Sequence, residues 1–140
     1  MIGRPTAAVT SEISLQLVVP GDASVPLPVS LRYEAGDPYA VHATFRTGRG
    51  EGVEWVFARE LLAAGSLGPA GEGDVRVWPG EHHGEPSVFV ALTSPDGEAL
   101  LAAPAEELTS FVQRTYGTVP PGAESRHVDV DSALVQLLAG

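Results

Sequence analysis

Cysteine is absent from the 140 residues, and with it disulfides, thiolate-ligated zinc and thiol nucleophiles. Lysine is absent too. The eight basic residues are arginines scattered among 18 acidic ones, for a formal net charge of −10. A phosphate backbone is bound by clustered Lys and Arg that release its counterions, so nucleic acid is a poor fit. The same deficit disfavours an anionic membrane surface. No apolar run approaches the ~18 residues that cross a bilayer. The start, Met1-Ile2-Gly3-Arg4-Pro5, has no apolar stretch of the signal-peptide kind. Together these absences predict a cytoplasmic chain with no direct membrane insertion.

What is present is ordinary globular usage, with 44% hydrophobic and 19% charged residues, at the length of one domain. Sixteen glycines and 12 prolines predict many short elements joined by tight turns. Residues 1–9 read as a flexible N-terminus and residues 10–140 as a single domain.

Strand patterns come first along the chain. Ile13, Leu15, Leu17 and Val19 alternate within Thr10–Val19, the period of a half-buried strand. Val25, Leu27, Val29, Leu31 and Tyr33 alternate in the same way. Pro26 and Pro28 lie between them and predict a sheet edge, because each removes a ladder donor. Tyr39–Phe45 and Val53–Ala58 read as the third and fourth strands, and Arg59–Ala64 as a short helical turn ended by Gly65. Asp74–Trp78, Ser87–Ser94 and Glu98–Ala103 follow as further strands, the last two joined by a Pro95-Asp96-Gly97 turn. Ser87–Ser94 is apolar on both faces, with Val88, Val90 and Leu92 on one and Phe89 and Ala91 on the other. Such a strand needs cover on both sides.

The period then changes. Pro104 opens a helix with Glu106 and Glu107 at its positive end and Arg114 near the other. Leu108, Phe111, Val112 and Thr115 form its buried stripe, and Gly117 is its expected stop. Asp131 caps a final helix whose Val130, Leu134, Leu137 and Leu138 are spaced i, i+4, i+7, i+8. That helix is too short to stand alone in water and must dock on something. The expected plan is α+β: antiparallel β-sheets of about seven or eight strands, then a packing helix and a C-terminal helix.

The residues that carry chemistry in other proteins assemble no active site here. Glu81-His82-His83-Gly84-Glu85 gathers imidazoles and carboxylates, but adjacent residues of a strand-like segment point to opposite sides, and a solvated hairpin loop is the better reading. His42 alternates with core residues as an outward or satisfied strand residue. His127, near Asp129 and Asp131, lacks the Gly and Glu of a calcium loop and reads as part of helix capping. Ser66, in Ala64-Gly65-Ser66-Leu67-Gly68, lacks the glycine and the feeding strand of a nucleophile elbow. Gly48-Arg49-Gly50-Glu51-Gly52 joins two strands and opens no helix, so it reads as a hairpin turn and not as a phosphate loop. Trp55 reads as core, and Trp78 as core or as a partly exposed interface anchor. No catalytic residue, cofactor or metal is expected.

Several longer segments resemble one family. Asp37–Phe45 (DPYAVHATF), Val53–Gly65 (VEWVFARELLAAG), Gly73–Pro79 (GDVRVWP), Ser94–Leu108 (SPDGEALLAAPAEEL) and Val119–Glu124 (VPPGAE) are similar to the SsgA-like sporulation and cell-division proteins of actinomycetes, most of all to the SsgB branch. The resemblance runs from Thr10 to Leu138. It implies a non-enzymatic role in marking septum sites and recruiting the tubulin-like division GTPase FtsZ during sporulation-linked septation. It also implies a fold like the whirly-type single-strand nucleic-acid binders, a homo-oligomer grouped as a trimer, other SsgA-like proteins as partners, and a place at the division septum. It supplies no catalytic residue. On the chain's own residues, Leu134, Leu137 and Leu138 are the candidate partner surface, against the alternative that they close their own core. A single-stranded nucleic-acid-binding module is the second reading, on fold analogy alone and against the charge. A metal-dependent enzyme built on His82 and His83 is the third.

Overall fold

The structure, a computed structural model, describes residues 7–21, 23–47 and 52–128. Alternating sequence becomes alternating burial. In β1 (Ala8–Val18), Ile13 and Leu15 are buried while Glu12 and Ser14 face water. β2 (Ser24–Glu34) buries Val29, Leu31 and Tyr33, and β3 (Ala40–Arg46) buries Val41, Ala43 and Phe45. β4 (Gly52–Ala58) contributes Phe57 and leads directly into the short helix α1 (Arg59–Gly65). β5 (Val75–His82), β6 (Glu85–Ser94) and β7 (Gly97–Pro104) follow, and β7 runs into helix α2 (Ala105–Thr118). A single 3-10 turn, Glu124–Arg126, lies beyond it.

The seven strands form one antiparallel sheet in the order β4-β3-β2-β1-β7-β6-β5. Two meanders, β1 to β4 and β5 to β7, meet where the first strand pairs with the last. That junction is short: Gln16, Leu17 and Val18 pair with Ala102, Leu101 and Leu100. Both helices pack on the inner face, α2 against β1, β6 and β7 and α1 against β5 and β4. Leu108, Phe111, Val112 and Thr115 are the buried stripe of α2, as the periodicity predicts. The α+β plan, with seven strands, is the observed one.

Several boundaries move, each for a physical reason. β1 begins at Ala8, so residues 8 and 9 are paired with Glu34 and Tyr33 and do not belong to a flexible start. β2 is an interior strand, contrary to the edge predicted from its prolines. The reason is register: β3 pairs with β2 at residues 29 to 32, so Pro26 and Pro28 lie where β2 has β1 on one side and no β3 on the other. The strand is interior, and the prolines occupy its locally open stretch. β5 continues past Trp78 through Pro79 to His82 because it is the last strand of the sheet, where a missing ladder donor is tolerated. Its open edge is blunted by Ala70, whose N–H and C=O both bond to Val77 at 2.8 and 2.9 Å.

α2 passes Gly117 and stops after Thr118, since Val119 precedes Pro120 and is held extended at φ −134, ψ 105. Arg114, expected to serve the helix C-terminus, donates to the Thr10 carbonyl at 3.2 Å instead, on a stretch of β1 that β7 does not reach. The predicted last helix, with Val130, Leu134, Leu137 and Leu138, lies outside the described residues.

Candidate functional site

The outer face of the sheet differs between its two halves. Over β1 to β4 it is polar: the Ser30 hydroxyl donates to Glu12 and accepts from Arg46 Nη2 at 3.0 Å, and Arg32 pairs with Glu34. Over β5 to β7 it is apolar. Trp78, Phe89 and Ala102 lie in one row of the register, ending on Gln16, and Ala91, Leu100 and Val18 lie in the next. Apart from the buried Ala102, these apolar side chains are half-buried. Among the described residues, Trp78, Phe89, Ala91, Leu100 and Val18 fall outside the cluster that makes up the inner core. The Trp78 and Phe89 rings stack with centroids 5.8 Å apart, and His82 meets Phe89 edge-on at 6.1 Å. Gly80 makes room for this arrangement: a Cβ there would stand 2.8 Å from Phe89 Cε2. Trp78 is thus half-buried on the outer face, while Trp55 packs against the core.

Beside the aromatic stack runs an open cleft of about 640 Å³, bounded by the β5–β6 hairpin and the start of α2. Ala102, Pro86, Pro104 and Ala105 supply apolar surface, while Ser14, Gln16, Ser24 and Ser87 supply polar groups. Its charged residues are Glu85, Glu106 and Glu107, with no arginine among the lining side chains. Pro104, the N-cap of α2, has no side chain able to cap the helix.

The predicted chemistry-bearing residues are dispersed. His82 and His83 do come together, with rings 4.1 Å apart, contrary to the expectation that they diverge. His83 and Gly84 form the two-residue hairpin turn with φ of 50° and 81°, and that left-handed turn breaks the strand alternation. Even so, no group of three His, Cys, Asp or Glu side chains among the described residues is arranged to hold a metal ion. His42 lies on the polar outer half, with Nε2 3.0 Å from Asp37 and Nδ1 3.3 Å from Glu54. The hydrogen bond to Asp37 is the main cause that raises its pKa above the usual histidine value; burial opposes it and Glu54 adds to it. Ser66 closes α1, donating to the Leu62 carbonyl at 2.8 Å, and is no nucleophile elbow. His127 follows the 3-10 turn and is exposed, whereas Asp129 and Asp131 lie outside the described residues. The hairpin expected at residues 48–52 joins β3 to β4 through the Arg46–Gly52 pair; residues 48–51 are likewise outside them.

The model of the Streptomyces sporulation and cell division protein SsgA matches residues 27–124. The chain belongs to the SsgA-like family. Within that family it is 58% identical to the sporulation-specific cell division protein SsgB of Streptomyces coelicolor, over 94% of this chain and 96% of the relative. It is 49% identical to the protein of the same name from Frankia casuarinae, over 95% and 93%. A solved SsgB structure, described with mutations that correlate to longitudinal cell division during sporulation of Streptomyces coelicolor, superposes with a TM-score of 0.86. Its identity to this chain is 57%, and the match covers 89% of this chain and 98% of that one. The crystal structure of an SsgA-like sporulation-specific cell division protein from Thermobifida fusca gives 0.84 at 44% identity, over 96% and 98%. The family is named for cell division, not for an enzymatic activity, and no helix among the described residues is long and apolar enough to cross a membrane.

In this SsgA-like chain one further cluster escapes a reading of the sequence. Arg59, the first residue of α1, is 2% exposed. Its Nη1 donates to the carbonyls of Val119 at 2.7 Å and Thr115 at 3.3 Å, and its Nη2 to Glu124 at 2.8 Å. The guanidinium also lies 4.9 Å from the Tyr33 ring centroid and 5.0 Å from that of Tyr116. Since α2 has no basic residue in its last turn, Arg59 provides from another helix the positive charge and donors its C-terminus needs. Two segments that carry the family resemblance, Val53–Gly65 and Val119–Glu124, are joined by this contact. Nothing in a lone arginine before Glu60-Leu61-Leu62 signals that it will be buried.

Proposed function

We propose that this chain is a non-enzymatic septation protein that marks septum sites and recruits the tubulin-like division GTPase FtsZ during sporulation-linked septation. It acts in the cytoplasm at the division septum, as a homo-oligomer alongside other SsgA-like proteins. Membership of a family named for sporulation and cell division supports the process. The observation that carries the mode of action is the half-buried apolar outer face of β5, β6 and β7, which stands apart from the inner core. Half-exposed aromatic surface of this kind is what protein partners use as an anchor. Purified full-length chain, immobilised and washed with purified FtsZ, is expected to retain the GTPase; passage of FtsZ without retention would refute recruitment by direct contact.

A further inference from the structure

We propose that the outer face of β5, β6 and β7, together with the cleft at the start of α2, takes an extended segment of a partner protein that carries apolar side chains flanked by arginine or lysine. The proposal deepens the septation reading and rests on it only for the partner's identity. Two independent features lead to it. The first is shape and apolarity: Trp78, Phe89, Ala91, Leu100 and Val18 form a contiguous patch outside the inner core, bordered by an open cleft of about 640 Å³. A second open cleft, lined by Arg76, Trp78 and residues 69 to 72, borders Trp78 on the other side. A chain laid across the stack therefore meets a depression at either end.

The second feature is charge. Glu85, Glu106 and Glu107 line the cleft, and Glu98, in register with Thr93, sits on the opposite rim; among the described residues Arg76 is the one arginine on this face. A basic segment complements that ring, and complementary rims steer association and set specificity. The same charge argues against the other occupants. A second copy of the chain carries −10 itself, and pairing this face with the same face of a copy would bring the glutamates together. Residues 129–140, DVDSALVQLLAG, have the apolar residues but also two aspartates and no basic side chain. Strand addition at β5 is not the mode, because Ala70 already bonds its open edge at Val77 and Pro79 lacks a donor. Side-chain docking on the face is what remains.

The test is a fluorescence-anisotropy titration of the full-length chain with two short fluorescein-labelled peptides, one alternating leucine with arginine and the other leucine with glutamate. The arginine peptide is expected to bind, and salt should weaken it. Affinity should fall about tenfold in the Glu106→Gln/Glu107→Gln double variant and at least as far in Trp78→Ala. A control double variant away from the patch and its clefts, Glu34→Gln/Glu60→Gln, removes the same charge and should leave affinity unchanged. Equal loss in that control would mean diffuse attraction to an acidic protein and would overturn the proposal. So would binding of the glutamate peptide, failure of the arginine peptide, or binding that appears only after residues 129–140 are removed. Conversion of an oligomer to monomer by Trp78→Ala, read by sedimentation, would assign the face to a second copy and equally overturn it. Both glutamates are exposed, so the Gln variant tests the site even if Trp78→Ala does not fold. FtsZ retention is measured in parallel. Peptide binding in the expected pattern without FtsZ retention supports the site and sinks the recruitment reading. Retention unchanged in the Gln variant sinks the site.

Discussion

Removing the Arg59 guanidinium takes a donor from the Thr115 and Val119 carbonyls and a counter-ion from Glu124. The two carbonyls are left short of a donor in a buried setting, so Arg59→Ala should lower unfolding free energy by about 1–3 kcal/mol, read from denaturant midpoints. The Glu124 carboxyl is held below the usual carboxylate range, first by its own backbone N–H and then by Arg59. A lowered folded-state value gives stability that is present above the ordinary value of ~4.3 and lost as pH falls through the folded one. Glu124→Gln should therefore flatten the acid side of the stability profile. His42 works with the opposite sign. Its pKa is raised, chiefly by Asp37, so its contribution is full below ~6.5 and disappears as pH rises through the folded value. His42→Gln should remove that alkaline decline and leave the acid side unchanged. Arg59 and His42 also mark the limit of sequence reading. His42 alternates with buried neighbours and was legible as an outward residue, whereas the hydrogen-bond partners of Arg59 come from 56 and more positions away and leave no local pattern.

Elements were legible where one face is buried and one is wet. β1, β3 and the stripe of α2 follow from periods of two and 3.6 because each contrasts an apolar and a polar side, while β6 was legible as a short apolar run bounded by turns. Failures occurred where proline stood for an edge and register decided otherwise, as in β2, and where a turn overrode alternation, as at His82 and His83. Which helix packs on which strand was not legible either. Gly65 ends α1, as expected, but it is needed for packing and not for a left-handed cap: a Cβ at that position would sit inside the Val77 side chain of β5. In an isolated helix Gly→Ala gains ~0.5–1 kcal/mol. In this contact overpacking should win, and Gly65→Ala should destabilise by about 1–3 kcal/mol, as measured by chemical denaturation.

Taken whole, the molecule sets a net charge of −10 around an inner core and a separate apolar outer patch. That combination was half legible. The sequence showed that β6 is apolar on both faces and needs cover, but not that Trp78 and Phe89 would stack on the outer one. For nucleic acid the charge decides: a labelled single-stranded oligonucleotide should show no mobility or anisotropy change with the purified chain, even at low salt, where phosphate contacts are strongest. For proteins the outer patch is the proposed contact. The most direct measurement is sedimentation velocity of the full-length chain mixed with purified FtsZ. A faster-moving complex containing both, weakened in Trp78→Ala, is the predicted result. Two boundaries that sediment as they do alone, at every ratio tried, would contradict it.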